Sequence, residues 1–257
     1  MRSKSITNVA LRVLKGIFAL AFWLLVWQLA SDAINKEATV KNFLFPDIES
    51  TLSALSALLS TDKFYEAVLL SLMRVVTGLV LGIISGIFLG VICKKIPIIK
   101  DLISPMITVV RSTPVASFIV MLWVLLSGDQ LSVFIAFLMV MPIIWQSVCD
   151  GFDGTDKGLV ELADLYEFSF AKRLKLLIFP TLKKYLIPAV ITSTGLAWKA
   201  EIAAEIIGYT KRSIGQGIND AKQVLDTPTV FAWTVVIIVF SILLETGAKY
   251  LLGRFKR

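Results

Sequence analysis

The chain has 257 residues, 56% of them apolar, a formal net charge of +7 and no histidine. So many apolar residues in long runs exclude an ordinary soluble domain. The missing histidine removes histidine-dependent catalysis and any histidine metal site, and the positive balance fits basic loops beside membrane spans rather than nucleic-acid binding.

Arg2, Lys4, Arg12 and Lys15 precede the uncharged run Gly16 to Ser31. A secretory signal with a weak cleavage site at Ser31-Asp32-Ala33 and a retained span both fit. The length of the run and its Trp23 and Trp27 favour the span. Phe45-Pro46-Asp47 marks a turn, and Asp47 or Ser50 can cap a short helix over 51–60 with Leu52, Leu55, Leu58 and Leu59 on one face. The next span carries Gly78, Gly82, Gly86 and Gly90. A spacing of four puts them on one face, where small residues admit close helix packing. Cys93 at its end, like Cys149 later, is expected to be a packing residue. Pro105 and Pro114 suggest a kinked or broken start to the third span. Arg111 there either snorkels to the inner interface or faces the protein interior.

Leu126-Ser127-Gly128-Asp129-Gln130 looks like the signature of ATP-binding cassette ATPases. The chain has no G-x-x-x-x-G-K-[ST] phosphate loop, and a short turn between two apolar runs accounts for the stretch. The expected spans are 14–33, 69–93, 106–127, 131–149, 185–208 and 229–252, making one all-α, polytopic membrane domain over 1–257. Sixteen Lys and Arg residues fall in the loops on the N-terminal side and six on the other. That excess places both termini and the long loop 150–184 in the cytoplasm.

That loop holds ELADLYEFSFAKRLKLLIFP, residues 161–180. Helical spacing of Leu159, Leu162, Ala163 and Tyr166 predicts a short amphipathic helix. Ser169 can cap a second, and Pro180 is expected to stop or turn it. A solvated loop between spans is the plain alternative. The fifth span carries Lys199, Glu201 and Glu205. Glu201 and Glu205 are four apart and share a face, whereas Lys199 points elsewhere. Lys199 follows only about fourteen uncharged residues where roughly twenty are needed to cross, so the group is read as facing a cavity or partner. Thr192, Ser193 and Thr194 could continue a polar path.

Glu161, Ala163 and Pro180 match the EAA loop of membrane subunits of ATP-binding cassette importers, with Leu162 in place of an Ala and Glu167 in place of a Gly. A Gly there often serves a positive φ that Glu adopts poorly. Together with Ser71-Leu72-x-Arg74, Arg111-x-x-Pro114, Ala197-Trp198…Ala204-Glu205 and Ile214-Gly215, the chain resembles, over nearly its whole length, the permeases for nitrate, taurine and aliphatic sulfonates.

The resemblance implies a type I importer permease fold in a bacterial plasma membrane and a dimer with a second permease copy. It implies two cytoplasmic ATPase subunits that hold the ATP and Mg, and an extracytoplasmic solute-binding protein. No cofactor or catalysis is implied in this chain. The loop would dock the ATPase through Leu162, Ala163, Leu165, Glu167, Phe168, Phe170 and Pro180, with Glu161 and Arg173 at the rim. Arg111, Thr194, Trp198, Lys199, Glu201 and Glu205 would line the translocation path. An intramembrane hydrolase is excluded, because histidine is absent and no two aspartates lie within spans. An ATP-independent channel or secondary transporter is the competing class.

Overall fold

The computed structural model describes residues 2–36, 44–126 and 128–254. Of the residues singled out above, Ser127 and the side chains of Arg2, Lys4, Arg12 and Phe170 lie outside the described residues. The helices are α1 (Arg2–Asn35), α2 (Ile48–Leu59), α3 (Asp62–Lys95), α4 (Pro97–Ser112), α5 (Val115–Trp123), α6 (Asp129–Asp153), α7 (Lys157–Leu165), α8 (Phe170–Arg173), α9 (Phe179–Ile207), α10 (Ile214–Gln223) and α11 (Thr227–Gly253), with a π-helical segment, Leu174–Ile178, between α8 and α9. Among the described residues there is no strand. Among the described residues four helices are long and apolar enough to cross a membrane, within α1 and over α3, α6 and α11, or five if α4 and α5 form one broken span. The 29 residues of α9 are also long enough, but its charges keep it out of that group.

The chain divides into two compact units, Met1–Phe64 with Gly217–Val236, and Tyr65–Gln216 with Ile237–Arg257. In the first, the turn before α2 is tied to α1. Trp27 Nε1 donates to the Pro46 carbonyl at 2.9 Å and Ser31 Oγ to that of Phe45 at 2.9 Å. Asp47 caps α2 by accepting from the Ser50 N–H at 2.8 Å. Phe64 stacks on Trp233 with ring centroids 5.4 Å apart.

The second unit is built around α6. The four glycines of α3 all face it. A Cβ built on Gly78 would lie 2.6 Å from Ala136 Cβ, on Gly82 2.7 Å from Val140 Cβ, on Gly86 2.8 Å from Ile144 Cβ and on Gly90 2.6 Å from Val148 Cβ. Both sets of residues advance by four in the same direction, so α3 and α6 run parallel with their backbones nearly touching. The other side of α6 packs against α9 and α5 through Leu131, Ile135, Ala200, Ala204 and Ile119. Cys93 and Cys149 are buried, unbridged, in a cluster with Ile107, Met141 and Trp145.

The break expected in the third span occurs at Pro114, whereas Pro105 and Pro180 leave their helices running. The third apolar stretch breaks at Pro114, within the expected span 106–127, and α4 and α5 meet at 101°. Thr113 is extended at ψ 133, the conformation a following proline favours, while α4 runs through Pro105 unbroken. Pro180 neither stops nor turns its helix. It sits in the first turn of α9, where a missing N–H costs least. The preceding π segment, in which the Phe179 N–H bonds to the Leu174 carbonyl, carries the helix into it.

Replacing Gly82 or Gly86 by Leu should overfill the α3–α6 contact and lower stability by about 1–3 kcal/mol. Gly247, whose built Cβ meets nothing within 4 Å, should accept the same change. Thermal unfolding in detergent checks both. Equal melting of all three variants would remove the close contact from the account of stability.

Candidate functional site

Two constellations stand out, both in the second unit. The first is an ionic network at the start of α6 and the end of α9. Arg74 on α3 is 6% exposed and Glu205 on α9 is fully enclosed. Arg74 Nη1 lies 2.8 Å from Glu205 Oε1 and Nη2 2.8 Å from Asp129 Oδ1. Its remaining N–H groups reach the Lys211 and Arg212 carbonyls at 3.2 and 3.5 Å. Glu205 also accepts from Ser71 Oγ at 2.7 Å and from the Gly215 N–H at 3.1 Å. Gly215 is required by this approach, because a Cβ there would lie 2.4 Å from Glu205 Cβ.

Glu201, one turn earlier, is equally enclosed, yet both its carboxyl oxygens lack a hydrogen-bond partner. Trp198 is fully buried and donates to the Ile237 carbonyl at 3.0 Å. Thr194 is buried and bonds back to the Val190 carbonyl at 2.7 Å. Lys199 and Arg111 are exposed. The structure therefore brings Glu201 and Glu205 together in the interior and leaves Lys199 and Arg111 outside that group. In the sequence Ser71, Arg74 and Gly215 carried only the family resemblance and Asp129 only a turn, and none of the four was given a place in the site. An arginine at the start of a span, which demands a buried acceptor, was the signal available.

The second constellation is the hairpin of α7 and α8. Asp156 caps α7, accepting from the Gly158 N–H at 2.8 Å. At the other end Glu167 takes a positive φ of 46°. The Phe168 N–H bonds to the Ala163 carbonyl at 2.9 Å and the Glu167 N–H to that of Asp164 at 3.0 Å. This is a Schellman ending with Glu in the position glycine usually fills. Leu159, Leu162, Leu165 and Tyr166 are exposed, Leu165 to 80%, while Ala163 is 2% exposed and packs inward. Phe168 is half-buried under the Lys172 ammonium, 3.9 Å from its ring centroid. Glu161, Glu167 and Pro180 are exposed. Arg173 turns inward: its Nε donates to the Phe168 carbonyl at 3.0 Å, its Nη2 reaches the Ala163 carbonyl at 3.4 Å, and its Nη1 pairs with Asp164.

Near the far ends of α3 and α6, Lys94 and Lys100 share Asp153 at 3.1 and 3.2 Å, beside a cavity of about 200 Å³ that Cys93 and Cys149 also line. Among the described residues no three His, Cys, Asp or Glu side chains gather as metal ligands.

Removing one partner of a buried ion pair strands the other and costs about 3–5 kcal/mol. Glu205→Gln should therefore lower thermal stability sharply. Glu201→Gln removes a carboxylate whose oxygens lack a hydrogen-bond partner and should leave the melting temperature at or above the parent's. Equal losses in the two variants would contradict the arrangement.

Comparison with known proteins follows this geometry. A family model described as binding-protein-dependent transport system inner membrane component matches residues 78–257. The chain is 24% identical over 241 residues to the putative aliphatic sulfonates transport permease protein SsuC of Bacillus subtilis, covering 93% of this chain and 85% of that one. It is 23% identical over 249 residues to the taurine transport system permease protein TauC of Escherichia coli, covering 95% and 89%. A crystal structure of an amino acid ABC transporter superposes with a TM-score of 0.64 at 19% identity, covering 79% of this chain and 97% of that one. The shared fold is the all-α fold of type I importer permeases.

Proposed function

Because this chain belongs to the family of binding-protein-dependent transport system inner membrane components, we propose that it forms the path for a small anion and that the α7–α8 hairpin is where a separate ATPase subunit docks. Members of the family are membrane-embedded permease subunits of ATP-binding cassette importers, and they translocate without hydrolysing ATP themselves. The observation that carries the docking reading is continuity. From Phe170 to Ile207 the chain is helical without a break in sequence, with the hairpin at one end and the Arg74–Glu205 pair at the other. A push on the hairpin is thereby a push on the helix that holds the buried carboxylates.

The exposed row Leu159, Leu162, Leu165 and Tyr166 offers an apolar face to a groove, with Glu161 at its edge. Two copies of the permease, two ATPase subunits and an extracytoplasmic binding protein complete the assembly. Both termini and the hairpin face the cytoplasm across a bacterial inner membrane, which the excess of basic residues on that side supports. A sulfonate is the favoured cargo, since the relatives SsuC and TauC carry sulfonate and taurine in their names; nitrate belongs to the same class of small anions.

Losing one buried apolar anchor costs about 2 kcal/mol, roughly a thirtyfold loss of affinity. Leu165→Ala should therefore weaken capture of the ATPase subunit in a pull-down while the membrane fold melts as the parent does. Undiminished recruitment by Leu165→Ala and Leu162→Ala together would sink the docking reading and favour transport by this chain alone. For topology, a single cysteine at Thr155 should be shielded from an impermeant thiol reagent in intact cells; labelling from outside would invert the assignment.

A further inference from the structure

We propose that Arg173 is the positioning residue that fixes α7 to the α9 rod, making hairpin and span move as one body; this rests on the docking reading above. The turn between α7 and α8 is unfavourable by its own sequence. Glu167 occupies left-handed backbone at φ 46°, where a Cβ is penalised. It also brings a negative charge to the C-terminal, electronegative end of α7. Two cations face this turn: the Lys172 ammonium lies over the Phe168 ring, and Arg173 alone of the two bonds to the helix ending itself.

Its guanidinium touches three successive parts of the ending. It reaches the Ala163 carbonyl, which already accepts from the Phe168 N–H, then the Asp164 carboxylate, then the Phe168 carbonyl just past the turn. Helix ends leave carbonyls without intrahelical partners, and a planar five-donor fork reaches acceptors spread around a turn, whereas the three donors of an ammonium radiate from one point. Arg173 is also the last residue before the π segment Leu174–Ile178. The brace thus joins the end of α7 to the beginning of the rod. With only 32% of its side chain exposed, Arg173 contributes little docking surface, so its loss should separate coupling from recruitment.

The experiment uses the full permease–ATPase complex in vesicles, together with spin labels on cysteines placed at Lys157 and Lys175, both exposed. The two native cysteines are buried. The parent should give one narrow label–label distance. Arg173→Gln should broaden it and lower transport per ATP hydrolysed several-fold, with a smaller loss of ATPase recruitment. Arg173→Lys should behave like Arg173→Gln. Adding Glu167→Gly to Arg173→Gln should narrow the distance again and restore transport per ATP, because glycine relieves the turn that the guanidinium braces. An unchanged distance and unchanged coupling in Arg173→Gln, while Leu165→Ala loses recruitment, would overturn the brace and leave docking standing. Failure of Glu167→Gly to rescue would likewise overturn it, since Arg173 would then act elsewhere. A broadened distance in Arg173→Gln with undiminished recruitment by Leu165→Ala would support the brace and remove the docking reading instead.

Discussion

Arg74 has five N–H groups to satisfy in a place from which water is nearly shut out. Glu205, Asp129 and the carbonyls of Lys211 and Arg212 meet that demand together, and they come from α9, α6 and the loop after α9. One guanidinium therefore fixes the ends of α6 and α9 and the loop after α9 relative to α3. The loop bears the consequence. Tyr209 and Arg212 both hold positive φ, at 50° and 49°, conformations that ordinary side chains keep only when their surroundings over-determine them. Gly215 completes the enclosure by letting the backbone approach Glu205 closely enough to donate to it.

The ion pair depends in turn on the glycine face of α3. Gly78 lies one turn beyond Arg74, and its built Cβ would collide with Ala136 Cβ and the Val133 carbonyl at 2.6 Å. Any side chain there would push α3 off α6 and carry Arg74 away from Asp129 and Glu205. Close packing of small residues and a buried charge pair are thus one device. The glycines set the helix separation, and the charge pair makes that separation the only one without a stranded ion.

Much of this was legible in the residues. The fourfold glycine spacing pointed to a face, and Glu201 and Glu205 pointed to a common side of one helix. The missing glycine at Glu167 pointed to a strained turn. What periodicity could not supply was partnership across elements. Spacing already set Lys199 on another face from Glu201 and Glu205, where it is exposed, but it could not name the cation that serves them. The cation that serves Glu205 comes from Arg74, 131 residues earlier. Arg173 was expected at the rim of the docking surface. Its reach back to Ala163 depends on the turn geometry, which the sequence does not spell out.

Pro180 failed as a helix stop for a related reason. In an α-helix its ring would press on the carbonyl four residues back and its absent N–H would leave that carbonyl without a donor. The widened turn immediately before it relaxes this crowding and lets the helix continue. The widening also has a rotational consequence. One extra residue shifts the phase of everything beyond it by about 100° relative to an unbroken α-helix. Thr194, Trp198, Glu201 and Glu205 lie beyond the π segment, whereas Arg173 and the hairpin lie before it. Without the π segment, a hairpin held in its present orientation would turn the Glu205 face away from α3, and Arg74 would lose its carboxylate. The segment Leu174–Ile178 thus reconciles two fixed requirements, the hairpin's direction at one end and the ion pair's direction at the other.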